Sequence, residues 1–175
     1  MLQNERVVFV EGACFFVWRW KYSMQKKCDL YLCAEVDVSQ IEMLSLFDKG
    51  RLLKEGTVRS GYLSVNIDRV KLVAIVSDLR RQNVPCFSAP VKYRDSNLSF
   101  EAAFEIAKKF AVEQNAIVGR LDQTRSPPLF WSFSLTSVSA AEKKAGGMLM
   151  IDRLDGHIWS LEEYEEYMYD YNNVF

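Results

Sequence analysis

The sequence is poor in the side chains and motifs that carry most catalytic and metal-binding chemistry. It has one histidine, His157, and four cysteines in 175 residues. Any histidine-based mechanism would therefore depend on His157 alone, which follows a turn and is expected to be a surface or turn residue. The chain has no Walker loop and no G-x-G-x-x-G sequence, which argues against the common glycine-rich phosphate sites. We expect no catalytic residue, no cofactor and no metal, and a protein that is not an enzyme.

Long apolar runs are also missing. No stretch approaches the roughly 20 apolar residues that a membrane-spanning helix needs, and the run 13–20 is interrupted by Arg19. The opening sequence MLQNERVVFVEG does not have the pattern of a signal or transit peptide. These absences predict a cytoplasmic protein whose cysteines stay reduced. Because an unpaired cysteine behaves as a small buried hydrophobe, four core thiols are expected: Cys14, Cys28, Cys33 and Cys86.

Charge is nearly balanced over the whole chain but not between its halves. Residues 1–98 contain 15 Lys and Arg against 11 Asp and Glu, whereas residues 99–175 contain 7 against 12. After Met150 the sequence has seven Asp and Glu residues and one basic residue, Arg153. Such an end repels nucleic acid and favours a basic partner, although a solvated helix face is a common alternative.

The first part of the chain predicts strands and two helices. Aromatic and β-branched runs indicate strands at 6–10, 13–21 and 28–36, with less regular ones at 52–59 and 61–65. Ser39 is a candidate N-cap for a short helix ending near Gly50, and Asn66 for a longer helix through Gln82. An extended segment is then expected at 86–93, and the segment 93–98 is the best candidate boundary.

The second part predicts a helix, a meander and a closing helix. Ser99 precedes the amphipathic sequence FEAAFEIAKKFAVEQN, and strands are expected at 116–122, 129–138 and 147–153. Asp155-Gly156 indicates a hairpin turn, and Ser160 with Glu163 indicates a capping box. Spacing places four residues of the closing helix on its buried face, with Tyr167 and Tyr169 at its flanks: Leu161, Tyr164, Met168 and Tyr171. The fold class expected is α+β, an antiparallel sheet packed against a few helices.

Residues 99–169 resemble the YrhB-like domains found among bacterial immunity proteins of polymorphic toxin systems. The resemblance lies in SFEAAFEIAKKFA, in FWSFSL and in MLMIDRLDGHIWSLEEYEEY, and four residues carry most of it: Asp152, Gly156, Trp159 and Tyr164. It implies a helix–meander–helix region over 99–175, while 1–98 resembles no family. The alternative is one continuous domain over 1–175. The resemblance implies the role of a toxin inhibitor, and it implies no catalytic residues.

The leading hypothesis is therefore an immunity protein that binds and neutralises a cognate toxin in bacterial competition. An acidic inhibitor suits a basic, nuclease-like toxin cleft, so we expect a protein partner and neither membrane nor nucleic acid. The candidate toxin-contacting residues lie in the acidic C-terminal end: Asp155, Glu162, Glu163, Glu166, Tyr169 and Asp170.

Two alternatives from other classes stay open. One is a small enzyme or ligand-binding protein with a cleft near His157, in which Asp155 and a cysteine would assist. The other is a nucleic-acid-binding module using Arg19, Trp20 and Lys21, although the sequence pI of 5.9 is well below that of most such domains.

Overall fold

The computed structural model describes residues 27–41, 57–138 and 145–174. Several sequence predictions fall outside these ranges. They are the strands at 6–10 and 13–21, most of the short helix after Ser39, Cys14, and the cluster of Arg19, Trp20 and Lys21.

The first sheet is antiparallel, with the strand order β2-β1-β3. It consists of β1 (Lys27–Asp37), β2 (Val58–Asp68) and β3 (Cys86–Pro90). Leu30 lies at its centre, opposite Leu63 on β2 and Ser88 on β3. The side chains of Leu30, Leu32 and Leu63 are buried, which places the core against this sheet.

Helix α1 (Arg69–Arg81) follows β2 directly, so the predicted helix start at Asn66 was wrong. Asn66 instead lies within the strand, with φ of 50°. Its backbone N–H donates to Oδ1 of the buried Asp29 over 3.0 Å. Pairing of Ile67 with Cys28 and of Asp68 with Lys27 then keeps the chain extended for two more residues. The strand predicted at 61–65 and the end of the one predicted at 52–59 are parts of this single strand.

The segment 86–93, which was predicted to be extended throughout, is extended only as far as Pro90. β3 ends at Pro90, and a short 3-10 helix, Val91–Asp95, follows. Tyr93 is buried, and Arg94 forms an ion pair with Asp29 at 2.7 Å.

The second sheet is the predicted meander, with the order β4-β5-β6 and antiparallel pairing throughout. Its strands are β4 (Ala116–Arg120), β5 (Phe130–Ser137) and β6 (Ala145–Asp152). Helix α2 (Phe100–Glu113) precedes it, capped by the Ser99 side chain, which accepts from Ala102 N. The helix buries Ala103, Ala107 and Ala111. Small residues on this stripe allow close approach to Phe133 and Leu149 in a shared apolar cluster.

The chain closes with a hairpin and helix α3 (Leu161–Asn172). The turn at Gly156 has φ of +78°, and Ile158 returns to pair with Ile151. The predicted capping box between Ser160 and Glu163 is present.

The buried face of α3 differs from the predicted one. Tyr167, expected at the flank, is 2% exposed, whereas Leu161, expected in the buried stripe, is 66% exposed. The helix buries Glu163, Tyr167 and Tyr171, which follow each other at intervals of four residues. The Tyr167 hydroxyl donates to the carbonyl of Ser88 over 2.9 Å, and this contact with β3 fixes the rotation of the helix about its axis.

These elements confirm the α+β class. One core cluster contains Leu30 and Leu72 from the first part of the chain together with Phe130 and Tyr167 from the second. Among the described residues, no helix combines the length and the apolar character needed to cross a membrane.

Candidate partner-binding surface

The hairpin before α3 is built around the buried carboxylate of Asp152. Oδ2 accepts from the Tyr93 hydroxyl at 2.5 Å and from Trp159 Nε1 at 2.8 Å. Oδ1 accepts from the backbone N–H of Leu154 at 2.7 Å and, more weakly, from that of Asp155 at 3.4 Å. Because a buried charge is tolerated only when its hydrogen bonds are satisfied, this set of donors explains how Asp152 can be 1% exposed.

His157 links the hairpin to the first turn of α3. Its Nδ1 lies 2.6 Å from Asp155 Oδ1, and its Nε2 lies 3.1 Å from Glu163 Oε1. Partial burial opposes the charged imidazole, but the hydrogen bond to Asp155 and the charges of Asp152, Asp155 and Glu163 outweigh it. The pKa of His157 is therefore raised above its ordinary value. When both ring nitrogens are protonated, each donates to a carboxylate, so His157 has the structural role in a turn that the sequence predicts.

Asp152, Asp155 and His157 place ligand atoms within 4.8 Å of one another, as a metal site would. Both oxygens of Asp152 already accept hydrogen bonds from the hairpin and from Tyr93. The Nδ1 of His157 likewise already contacts Asp155. These side chains are therefore already engaged with one another and with the hairpin backbone.

The three cysteines in the described part of the chain are poor nucleophiles. Cys28 and Cys86 are buried, Cys33 is half-buried, and all three are free thiols. Burial raises the pKa of Cys28 and Cys33 to about 11 and that of Cys86 to about 12. Because the thiolate is the reactive form, these raised pKa values disfavour reactivity. Cys28 and Cys86 lie in the core, as the sequence predicts, whereas Cys33 does not.

The six residues predicted to contact a toxin lie in different environments. Asp155 and Glu162 are exposed, and Tyr169 is 57% exposed. Glu166 is half-buried. Glu163 is buried, and Asp170 is half-buried.

Glu163 is buried, and its Oε2 accepts from the backbone N–H of Ser160 at 2.7 Å. Asp170 forms an ion pair with Arg69 on α1 at 2.7 Å. The hydrogen bonds of Glu163 and the ion pair of Asp170 therefore hold α3 in place. The side chain of Asp170 is still 37% exposed, so Glu163 is the one predicted residue of the six that is buried.

Sequence reasoning missed Glu165 and Leu161, which are both exposed. At 100° per residue, five side chains of α3 fall within an arc of about 140°. We call this arc the acidic face of α3, and it consists of Leu161, Glu162, Glu165, Glu166 and Tyr169. The recurrence of 161, 165 and 169 at intervals of four is the signal that could have identified it.

The segment that contains the acidic face has no basic residue and also presents some apolar surface. Residues 154–174 contain six carboxylates and no Lys or Arg. Leu154 and Ile158 of the neighbouring hairpin are 37% and 36% exposed. Exposed apolar and tyrosine side chains among carboxylates can supply both contact area and charge complementarity to a protein partner.

Comparison with known proteins does not extend this description. No protein-family model matches the sequence, and neither the curated proteins nor the solved structures contain a match. The resemblance of residues 99–169 to YrhB-like domains therefore stays a prediction.

Proposed function

We propose that this protein is an immunity protein that binds a basic bacterial toxin through the acidic face of α3 and occludes the toxin's active site. The observation that carries the proposal is the composition of that face. It combines exposed Glu162 and Glu165 with exposed Leu161 and Tyr169, within a segment that has no Lys or Arg.

The charge of this face suits a partner with a basic cleft. Enzymes that cleave nucleic acid bind phosphates with Lys and Arg, so their active sites attract an acidic surface. Charge complementarity of this kind accelerates association, while a central tyrosine and its apolar neighbours add contact area. Tyr169 lies on this arc between the glutamates and has the properties of such an anchor.

The face is also held rigidly, which reduces the entropy lost on binding. At the N-terminal end of α3, Glu163 joins the helix to Ser160 and to His157. At the other end, the Arg80 guanidinium donates to the carbonyl of Asn172 at 2.9 Å. The Asn172 side chain is buried and accepts from the backbone N–H of Ser88 at 2.9 Å. Both ends of the helix are thereby joined to the rest of the fold.

Affinity capture tests the proposal. Tagged wild-type protein and the Glu162→Lys/Glu165→Lys variant are used in parallel to capture partners from a lysate of the bacterium that encodes the chain. The matched control is Glu105→Lys/Glu113→Lys, which reverses two exposed glutamates on α2 and changes the net charge by the same amount. We expect one stoichiometric partner with wild type and control, and its loss with the α3 variant.

The captured partner is then examined for toxicity. Its C-terminal domain is produced alone and together with the immunity candidate in a laboratory strain. We expect growth arrest alone and normal growth on co-production. A domain that arrests growth equally in both cases, or a partner retained by the α3 variant, contradicts the proposal.

A further inference from the structure

A pocket of about 260 Å³ lies at the meeting point of the two sheets, away from the acidic face of α3. Its walls come from three parts of the chain: β1, the loop between β4 and β5 with the start of β5, and the residue that follows β6. The residues that matter here are Tyr31, Ser126, Pro127, Phe130, Trp131 and Arg153.

Among the described residues that line this pocket, Arg153 is the only cation. Its guanidinium lies over the ring of Trp131, 3.7 Å from the ring centre. Nη1 donates to the carbonyl of Pro128 at 3.3 Å, and Nε is buried without an acceptor. In the described ranges no carboxylate lies within ion-pair distance of this side chain.

Other partly buried arginines of the described fold are better satisfied. Arg94 donates to Asp29 at 2.7 and 2.9 Å, and Arg69 donates to Asp170 at 2.7 Å. Arg80 donates to two backbone carbonyls, those of Cys86 and Asn172. A charge taken partly out of water is costly unless it is paired or well hydrogen-bonded. Arg153 has neither the carboxylate partner of Arg69 and Arg94 nor the two carbonyl acceptors of Arg80.

The surroundings of Arg153 are polar but not acidic. Burial lowers the pKa of Arg153, although the phenols of Tyr62 and Tyr31 act against this. The Tyr62 hydroxyl is itself buried without a hydrogen-bond partner, and its ring contacts that of Tyr31 at 5.0 Å. Of these two residues with an unsatisfied polar group, Arg153 is the one that lines the pocket.

The neighbouring loop is fixed before any ligand arrives. The Gln123 side chain donates to the carbonyls of Leu121 and Ser132 and accepts from Ser132 N. The Thr124 hydroxyl donates to Asp122. These bonds hold the loop that presents Ser126 and Pro127, so the pocket has the preformed character of small-molecule sites.

We propose that this pocket binds a small organic carboxylate. The guanidinium of Arg153 donates to the carboxylate, and Pro127, Phe130 and Tyr31 contact a compact apolar group. The volume lies below the roughly 300–1,000 Å³ of pockets that take drug-sized ligands, which limits the ligand to about the size of a single-ring acid. The described lining supplies one cation, and one positive charge matches a singly charged carboxylate better than a phosphate, which carries more negative charge and needs more donors.

Titration with benzoate, followed by ¹H–¹⁵N NMR, tests this proposal. The side-chain N–H signals of Arg153 and Trp131 report directly on the pocket, since both residues line it and the guanidinium lies over the indole ring. We expect benzoate to shift both signals in a saturable manner. Benzamide, which has the same shape without the charge, is the matched control and should leave them in place.

Equal effects of benzoate and benzamide, or no shift with benzoate at millimolar concentration, would overturn the proposal. Saturable shifts with inorganic phosphate but not with benzoate would overturn the choice of a carboxylate.

Two variants test the site separately, so that misfolding of one variant does not decide the result. Arg153→Gln should weaken benzoate binding by about tenfold or more, because a charge-assisted hydrogen bond is lost. Ser126→Phe keeps Arg153 but places a ring at the pocket, and it should reduce the affinity to a similar extent. Unchanged affinity in both folded variants, as judged by their backbone spectra, would contradict the assignment. The result does not depend on any toxin, so the pocket and the immunity role can fail separately.

Discussion

Trp159 donates its indole N–H to Oδ2 of Asp152 over 2.8 Å, and both side chains are buried. The two residues lie on opposite sides of the hairpin, and the same oxygen accepts from Tyr93 of the preceding 3-10 helix. This shared acceptor joins both arms of the hairpin to the 3-10 helix, whose Tyr93 lies 59 positions before Asp152. It positions the start of α3, and through it the acidic face, on the fold.

Replacing Asp152 by Ala should therefore destabilise the protein strongly. The change leaves the Tyr93 hydroxyl and the Trp159 N–H buried without an acceptor, which typically costs about 3–5 kcal/mol for a buried network of this kind. Urea unfolding followed by tryptophan fluorescence measures the loss. The matched control is Asp122→Ala, since the exposed Asp122 makes a similar turn with Thr124, and its effect on stability should be much smaller. Equal losses for the two variants would show that the buried network contributes little.

Stability should fall as pH rises through the pKa of His157. The pKa in the folded protein is raised above the unfolded value of about 6.5. A raised pKa means that the folded state binds the proton more tightly, so the stabilisation is complete below pH ~6.5 and is lost above the folded pKa. The chain has one histidine, so its Hε1 resonance gives the folded pKa without ambiguity.

Urea midpoints between pH 6 and 9 check the linkage to folding. His157→Gln removes the titrating group and should flatten the dependence over this range. A resonance that titrates at or below pH 6.5, or the same pH dependence in the variant, would be incompatible with the contacts to Asp155 and Glu163.

Two glycines allow backbone strain to be separated from packing. Gly156 and Gly61 have nearly the same φ, +78° and +77°. A Cβ at Gly156 would lie 3.0 Å from Ile106 Cδ1, whereas nothing lies within 4 Å of one at Gly61. We expect Gly61→Ala to cost about 1–2 kcal/mol from the left-handed backbone alone, and Gly156→Ala to cost about 1 kcal/mol more.

The additional cost should disappear when Ile106 is shortened. In an Ile106→Val background the Cδ1 atom is absent, so Gly156→Ala should cost about as much as Gly61→Ala. Urea unfolding of the four variants completes the cycle. If the cost of Gly156→Ala is the same in both backgrounds, the contact with α2 does not contribute.

Local signals in the sequence predicted much of the fold. The cap at Ser99, the Asp155-Gly156 turn and the capping box at Ser160 each depend on a few adjacent residues. The meander and the α+β class follow from the same kind of local pattern, and all of these are present in the structure.

Features decided by distant residues were not predictable. The rotation of α3 depends on the bond from Tyr167 to Ser88, 79 positions away. Asn66 stays in a strand because Asp29 accepts its N–H, not because of its own preference. Glu163 and Asp170 are residue types that usually lie on the surface, yet Glu163 contacts His157 and Asp170 forms an ion pair with Arg69. The proximity of Arg153 to Tyr31 likewise has no local signal.

Association kinetics at varied salt test the central claim most directly. The captured toxin domain is immobilised, and the association rate constants of wild type, Glu162→Lys/Glu165→Lys and Glu105→Lys/Glu113→Lys are measured from about 50 to 500 mM NaCl. We predict a steep decrease with salt for wild type and for the α2 control. The α3 variant should associate about tenfold more slowly or worse at low salt, with a weakened salt dependence. Identical rates and salt slopes for all three proteins would contradict the assignment of the acidic face of α3 as the toxin-binding surface.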